Sequence, residues 1–304
     1  MLKGIFRMCG IVGLFLKDKS LHPKLGHMLS EMLETMTDRG PDSAGIAIYG
    51  TEKNKILKIS LHTSDSNSFV NLKDEIESRW GNNVSIDTKS TSAILDVNEE
   101  FFEPVKSLID TQFPEINTLS FGSTIEIFKG IGLPADVSRS FSINSMSGSH
   151  GIGHTRMATE SAVTTLGCHP FSTGEDQCLV HNGSLSNHNT VRNQLIRHGM
   201  KFETENDSEV AAAYLSYKMD NGSSLSDAMQ SALRDLDGFF TFVVGTREGF
   251  GVVRDSIACK PAVLAETEKY VAFGSEYRAL VGLPSINLAQ VWEPDPGTVY
   301  FWEN

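Results

Sequence analysis

Between residues 186 and 302 the chain presents its helical patterns in one run and its strand-like patterns in the next, and this ordering constrains the fold more than any single motif. Helical spacing occupies Ser186–His198, Ser208–Met219 and Ser224–Leu236. Strand-like stretches then follow at Phe239–Gly245, Gly251–Arg254, Ala262–Leu264, Tyr270–Gly274 and Thr298–Trp302. Strict alternation of the two would indicate a parallel sheet, whereas segregated runs predict an α+β fold with largely antiparallel sheets. The N-terminal part adds one element of each kind. Residues 9–16, CGIVGLFL, read as a short buried strand. Leu25, Met28, Leu29, Met32, Leu33 and Met36 then recur at helical spacing from near Pro23. Asp38-Arg39-Gly40-Pro41 ends that helix, since Gly permits a left-handed exit and Pro cannot continue it. A methionine-rich stripe at this spacing is core more often than ligand groove.

From about residue 51 to 149 the composition shifts toward Ser, Asn, Thr and acidic residues. Ile56–His62 and Thr118–Phe128 still read as strands, and Val70–Trp80 and Glu99–Phe113 as helices, which predicts an inserted α+β subdomain rather than a linker. Over 304 residues, 26 Lys and Arg stand against 38 Asp and Glu, and the net charge of −12 argues against a nucleic-acid binder. No apolar stretch approaches the roughly 18 residues of a membrane span. The four cysteines, Cys9, Cys168, Cys178 and Cys259, include no CxxC pair, and the simplest reading is a reducing cytoplasm. Lys3 and Arg7 ahead of the apolar run Met8–Leu16 imitate a secretion signal. A small-residue cleavage site is missing, however, and Lys17, Asp18 and Lys19 follow at once.

Four segments carry possible chemistry. Cys9 follows a methionine that could be the initiator. With Met8 removed, Cys9 would hold a free α-amine (reference pKa about 7.7 to 8.0) beside its thiol (about 8.5), so one residue would supply both base and nucleophile. The plainer reading is a small apolar residue opening a strand. In Gly153-His154-Thr155-Arg156 the guanidinium suits a bidentate clamp on a carboxylate. Asn182-Gly183 reads as a tight turn or as an oxyanion hole built from the Asn182 amide and the Gly183 N–H. Asp207 either caps the helix that it opens or, together with Arg156, serves an amino-acid substrate as the anion for its ammonium. Cys168, His169, Cys178 and His181 bring zinc-type ligands within fourteen residues, but without the paired knuckle spacing of a structural site, so no metal is expected. A papain-like Cys/His protease would leave Arg156, Asn182-Gly183 and Asp207 unexplained.

Together and in this order, these segments resemble the class II glutamine amidotransferases, a family of N-terminal-nucleophile hydrolases. The resemblance is carried by MCGIVG at 8–13, DRGPDSAG at 38–45, GHTRMAT at 153–159, HPF at 169–171, VHNGSLSN at 180–187, NDSE at 206–209, RDSIACKPAV at 254–263 and AFGSEYRAL at 272–280. It implies a four-layer αββα sandwich over residues 9–304, interrupted by the insertion at about 51–149. It further implies Cys9 as nucleophile, Asn182 and Gly183 as oxyanion hole, Arg156 and Asp207 as holders of the carboxylate and ammonium of L-glutamine, and Thr159 and Arg39 as further pocket residues. The implied reaction passes through a γ-glutamyl thioester on Cys9. Residues 1–8 are then a propeptide or a mis-assigned start, because an attached MLKGIFRM makes the Cys9 amine an amide. The insertion and GSTIEIFKGIGLPADV at 122–137 look like the small amidotransferase subunits of glutamate-synthase-like and N-methylglutamate-synthase-like complexes. In such hetero-oligomers a separate large subunit carries FMN and iron–sulfur centres, and this chain carries no cofactor. The alternative is a non-catalytic regulatory or assembly subunit that keeps a glutamine pocket with Cys9 capped.

Overall fold

The computed structural model describes residues 9–157 and 163–303. The first third of the chain comprises β1 (Gly10–Leu16), α1 (Leu25–Glu34), β2 (Ser43–Tyr49), β3 (Ile56–His62), α2 (Asn67–Trp80), β4 (Val84–Lys89) and β5 (Ser92–Asn98). The middle comprises α3 (Phe102–Gln112), β6 (Asn117–Gly122), β7 (Ile125–Ile131), α4 (Pro134–Ser140), β8 (His150–Arg156), β9 (Phe171–Gly174) and β10 (Gln177–Leu185). Three helices follow, α5 (His188–Arg197), α6 (Asp207–Asp220) and α7 (Leu225–Asp235). The chain then runs through β11 (Gly238–Gly245), β12 (Gly249–Arg254), β13 (Val263–Glu266), β14 (Tyr270–Gly274), β15 (Gln290–Trp292) and β16 (Val299–Glu303).

One sheet has the order β15-β13-β14-β1-β8-β2-β7, a second β16-β12-β11-β10-β9, and every recorded pairing is antiparallel. Strand alternation sorts their side chains into layers. On β1, Val12, Leu14 and Leu16 pack with Leu29, Met32 and Leu33 of α1 and Val137 of α4, while Ile11 and Phe15 point the other way. There they meet Val180, Val243, Phe250 and Val252 of the second sheet. The outer face of that sheet, through Leu179, Phe240, Phe242 and Val244, packs on Val210, Ala213, Ala228 and Met229 of α6 and α7. The resulting order of helix, sheet, sheet and helix is the αββα sandwich. The Met-rich stripe is core, with Met28 and Met32 of α1 and Met36 in the turn that follows it all buried; the helix ends at Glu34, before the Asp38–Pro41 stop that the sequence suggested.

The insertion is shorter than its composition suggests. A separate sheet of order β4-β5-β3-β6 packs on α2 and α3 around Ile59, Leu61, Leu72, Leu95 and Val105, and it accounts for residues 56–122. Beyond it, β7 pairs with β2 in the main sheet and α4 packs on α1, so 125–149 belong to the sandwich. The expected boundary at 149 followed polarity, whereas strand pairing decides membership of a sheet. The expected single strand Thr118–Phe128 is likewise two strands in different sheets, broken at Ser123 and Thr124.

A buried carboxylate fixes that break. Asp176, between β9 and β10, accepts hydrogen bonds from the backbone N–H groups of Ser123, Thr124 and Ile125 and from both hydroxyls of Ser123 and Thr124, at 2.8–3.0 Å. An Asn at this position has one acceptor oxygen and turns an NH2 toward donors, leaving buried N–H groups unsatisfied. Asp176→Asn is expected to cost about 2–4 kcal/mol. A urea-denaturation midpoint unchanged from wild type would exclude the clamp.

Candidate active site

The site lies at one end of the gap between the two sheets, and alternation explains why. Cys9 immediately precedes β1 in phase with Ile11 and Phe15, Arg156 ends β8 in phase with Ile152, and Asn182 lies on β10 in phase with Cys178 and Val180. All three positions therefore belong to the faces that oppose each other. The register adds proximity, since Gly10 pairs with Thr155, the residue before Arg156. Across the gap, the Asn182 Nδ2 donates to the Cys9 carbonyl at 3.2 Å. From the α1–β2 loop, Arg39 Nε donates to the same oxygen at 3.1 Å, and its Nη1 pairs with Glu276. Cys9 itself is half-buried.

Asn182-Gly183 is not a turn. Both residues sit inside β10, paired with Thr241 and Phe240 of β11. Gly183 nevertheless adopts φ +153, and a Cβ there would meet the Phe239 carbonyl oxygen at 2.0 Å, so the strand accepts only glycine at this point. Asp207 does not cap α6 either. The N-cap is Asn206, whose side chain accepts from Ser208 N–H, while Asp207 Oδ2 accepts from Leu185 N–H at the end of β10, at 2.8 Å. The structure thus joins Cys9, Arg39 and Asn182 directly, sets Arg156 beside them by register, and ties Asp207 to the strand that carries Asn182 and Gly183. Thr159 lies outside the described residues.

Several supporting residues were not assigned roles from the sequence. Gly10 N–H donates to Thr155 Oγ1 and Ile11 N–H to Ser275 Oγ, which fixes the backbone directly after Cys9. Glu276 neutralises Arg39. All three stand inside motif segments, but only the fold shows what each faces. Three buried histidines surround the floor. His154 and His169 stack with ring centroids 4.0 Å apart, and His181 Nδ1 meets Ser208 Oγ at 2.9 Å. Burial, reinforced by their mutual proximity, pushes His154 down to about 3 and His169 well below the ordinary imidazole value. Burial likewise takes His181 to about 4, against the attraction of Asp207. These rings are neutral at pH 7 and supply shape and hydrogen bonding rather than charge.

Among the described residues no cluster of three His, Cys, Asp or Glu is arranged to hold a metal ion. Cys178 instead lies against Tyr49 Oη at 3.4 Å with its thiol pushed up to about 12 by burial, and Cys168 donates to the Thr164 carbonyl. No helix among the described residues is long and apolar enough to cross a membrane.

A nucleophilic side chain beside an amide donor, framed by two cations, at the end of an αββα sandwich invites comparison with known proteins. The family model described as a glutamine amidotransferase domain matches residues 154–282. The glutamine amidotransferase-like protein GlxB of Rhizobium meliloti (strain 1021) is 58% identical over 298 residues, covering 98% of this chain and 99% of its own. The chain belongs to the class II glutamine amidotransferases. Two solved structures share the fold of this amidotransferase. They are the glutamine phosphoribosylpyrophosphate amidotransferase from B. subtilis, with TM-score 0.63 and 20% identity, and an allosteric regulatory enzyme of purine biosynthesis, with TM-score 0.64 and 19% identity. Each match covers 97% of this chain but 47% of the other, so the amidotransferase spans about half the length of either.

Proposed function

We propose that this amidotransferase hydrolyses the side-chain amide of L-glutamine at Cys9 and passes the ammonia to a partner protein. The observation that carries this reading is the Asn182 amide held against Cys9 across the sheet gap. An amide nitrogen has two N–H groups. One is engaged by the Cys9 carbonyl, and the other, with the Gly183 N–H, serves the oxygen that becomes negative when the amide is attacked. Arg156 takes the α-carboxylate of glutamine and Asp207 the α-ammonium, with Thr159 completing the pocket. Arg39 is already committed to Glu276 and the Cys9 carbonyl, and its task is to hold the nucleophile's backbone.

The steps follow from one residue supplying base and nucleophile. The free α-amine of Cys9 takes the thiol proton, and the thiolate adds to the glutamine Cδ to give a tetrahedral oxyanion. Collapse breaks the C–N bond, the proton goes to the leaving nitrogen, and ammonia departs from a γ-glutamyl thioester. Water adds to the thioester, glutamate leaves and the thiol is restored. The base exists only after residues 1–8 are absent, whether by a start at Met8 followed by its removal or by cleavage of a propeptide. Ammonia then passes to a glutamate-synthase-like or N-methylglutamate-synthase-like large subunit in a cytoplasmic hetero-oligomer, with FMN and iron–sulfur centres in that partner. The inserted sheet, which stands outside the sandwich, is the docking surface assigned to it.

Glutamate release from glutamine by protein beginning at Cys9 tests the reading, with Cys9→Ala as the blank. Asn182→Ala is expected to lower kcat by about 10²–10³ with little change in KM, as loss of one oxyanion donor does. A KM effect at unchanged kcat would reassign Asn182 to ground-state binding.

A further inference from the structure

One carboxylate links the backbone of Cys9 to the protein surface. Glu276 follows β14, and the residue before it is spliced to β1 in both directions. Ser275 N–H donates to the Ile11 carbonyl and Ile11 N–H to Ser275 Oγ, each at 2.9 Å. Glu276 is therefore held one residue from a fixed attachment to the strand that Cys9 opens. Its two oxygens serve two guanidinium groups. Oε1 pairs with Nη1 of Arg39, and Oε2 with Nε of Arg278 at 2.7 Å. Arg278 also approaches Asp38, the residue before Arg39, at 3.5 Å. The surroundings of the two arginines differ. Arg278 is partly exposed and shares its charge with water, whereas Arg39 is 6% exposed and its Nη2 has no hydrogen-bond partner among the described residues. Among those residues Glu276 is the one carboxylate in ion-pair contact with Arg39.

A guanidinium keeps its charge when buried, so its effect on neighbouring groups depends on its counter-ion. The neighbour here is Cys9. Arg39 Nε stands 3.1 Å from the Cys9 carbonyl oxygen. Covalent geometry sets that oxygen about 3 Å from the nitrogen of its own residue, so the cation lies on the order of 6 Å from the α-nitrogen. At this range a cation without its counter-ion disfavours an ammonium, and a neutralised one does so far less. Other groups also face this end of the sheet gap. Arg156 ends β8, with Asp42 N–H bonded to its carbonyl, and Asp207 is tied to the end of β10. Lys260 lies over the Phe239 ring, and His154 and His181 are neutral. We infer that Glu276 is a positioning residue for the reacting end of Cys9: acting through Arg39, it fixes the Cys9 carbonyl and keeps the α-amine basic enough to take the thiol proton. This inference rests on the reading of Cys9 as both nucleophile and base. Arg278 occupies the outer oxygen of Glu276 and so keeps the other turned toward Arg39.

The test uses protein that begins at Cys9, labelled with 15N-cysteine, in which Cys9 carries the one free amine among the four cysteines. In Glu276→Gln the 15N titration midpoint of that amine is expected to fall by about one pH unit, and the acid limb of kcat against pH to move down with it. At the optimum, kcat should fall about 10- to 100-fold with KM nearly unchanged, since Glu276 holds the backbone of the nucleophile rather than glutamine. In the double variant Arg39→Met, Glu276→Gln the uncompensated cation is gone, and the midpoint should return to the wild-type value or above. A wild-type midpoint in Glu276→Gln overturns the inference. A low midpoint that persists in the double variant also overturns it, because the effect would not run through Arg39. Should Glu276→Gln fail to fold, Glu276→Asp decides, since it keeps the charge but withdraws the carboxylate by one carbon. Its kcat is expected to fall about tenfold at unchanged KM, and a wild-type kcat overturns the inference. Absence of glutamine turnover in the wild type would defeat the proposed reaction, while the amine titration, which needs no turnover, still decides the role of Glu276.

Discussion

Protein that retains residues 1–8 is expected to release no glutamate from glutamine, while protein that begins at Cys9 turns it over. The difference rests on one nitrogen. In the longer form the nitrogen of Cys9 is an amide without basicity, and among the described residues no His is placed to replace it, because His154, His169 and His181 are buried and held neutral. Loss of a positioned general base costs about 10²–10⁴ in rate, and Cys9→Ala removes the nucleophile as well, which takes turnover to background. The measurement pairs intact mass with glutamate release on the same sample. Equal rates from both forms would place the base elsewhere. A native protein that keeps the residues before Cys9 and shows no activity would favour a regulatory or assembly subunit.

Acid is expected to unfold this protein well before its carboxylates are exhausted. His150 is sandwiched between sheets, stacked on Tyr49 at 4.1 Å and bonded through Nε2 to the Thr246 carbonyl, and burial lowers it to about 4. His154, His169 and His181 are lowered in the same direction. The unfolded chain binds protons on these rings below pH about 6.5 while the folded one does not, so their contribution is whole above pH 6.5 and is lost as pH falls toward 4. For His150 alone the loss is on the order of 3 kcal/mol, a large part of a typical folding free energy. The three site histidines titrate as a coupled group and add to it less than the sum of their parts. Urea midpoints at pH 7.5, 6 and 5 should fall steadily, and His150→Gln should flatten the slope. Midpoints constant down to pH 4.5 would show that these rings are not buried neutral.

Much of the fold was legible in the sequence because it is written in local periodicity. The α1 stripe and α7 bury one face and leave helical spacing, whereas β1 and the central strands after Phe239 are buried on both faces and leave short continuous apolar runs, and each trace stands in the sequence whatever it packs against. The strands β4 and β5 left weaker traces, for in β4 only Val84 is fully buried. The family was legible for a different reason, since Cys9, Arg156, Asn182-Gly183 and Asp207 each stand inside a short contiguous motif.

What the sequence determined, then, was segment type, layer order by resemblance, and which side chains are candidates for the site. Tertiary structure alone decided what contacts what across long separations. It made Asn182-Gly183 a strand interior rather than a turn, because β11 pairs along its whole length. It gave the cap of α6 to Asn206 and freed Asp207 to bind the end of β10. It returned residues 125–149 to the sandwich, because β2 offered an open edge. It also buried Lys129 in the layer between the sheets, which no local pattern records, since a charge inside a strand reads the same whether its face meets water or the gap between two sheets. Periodicity reports that a face is buried, and only the assembled chain supplies the partner on the other side.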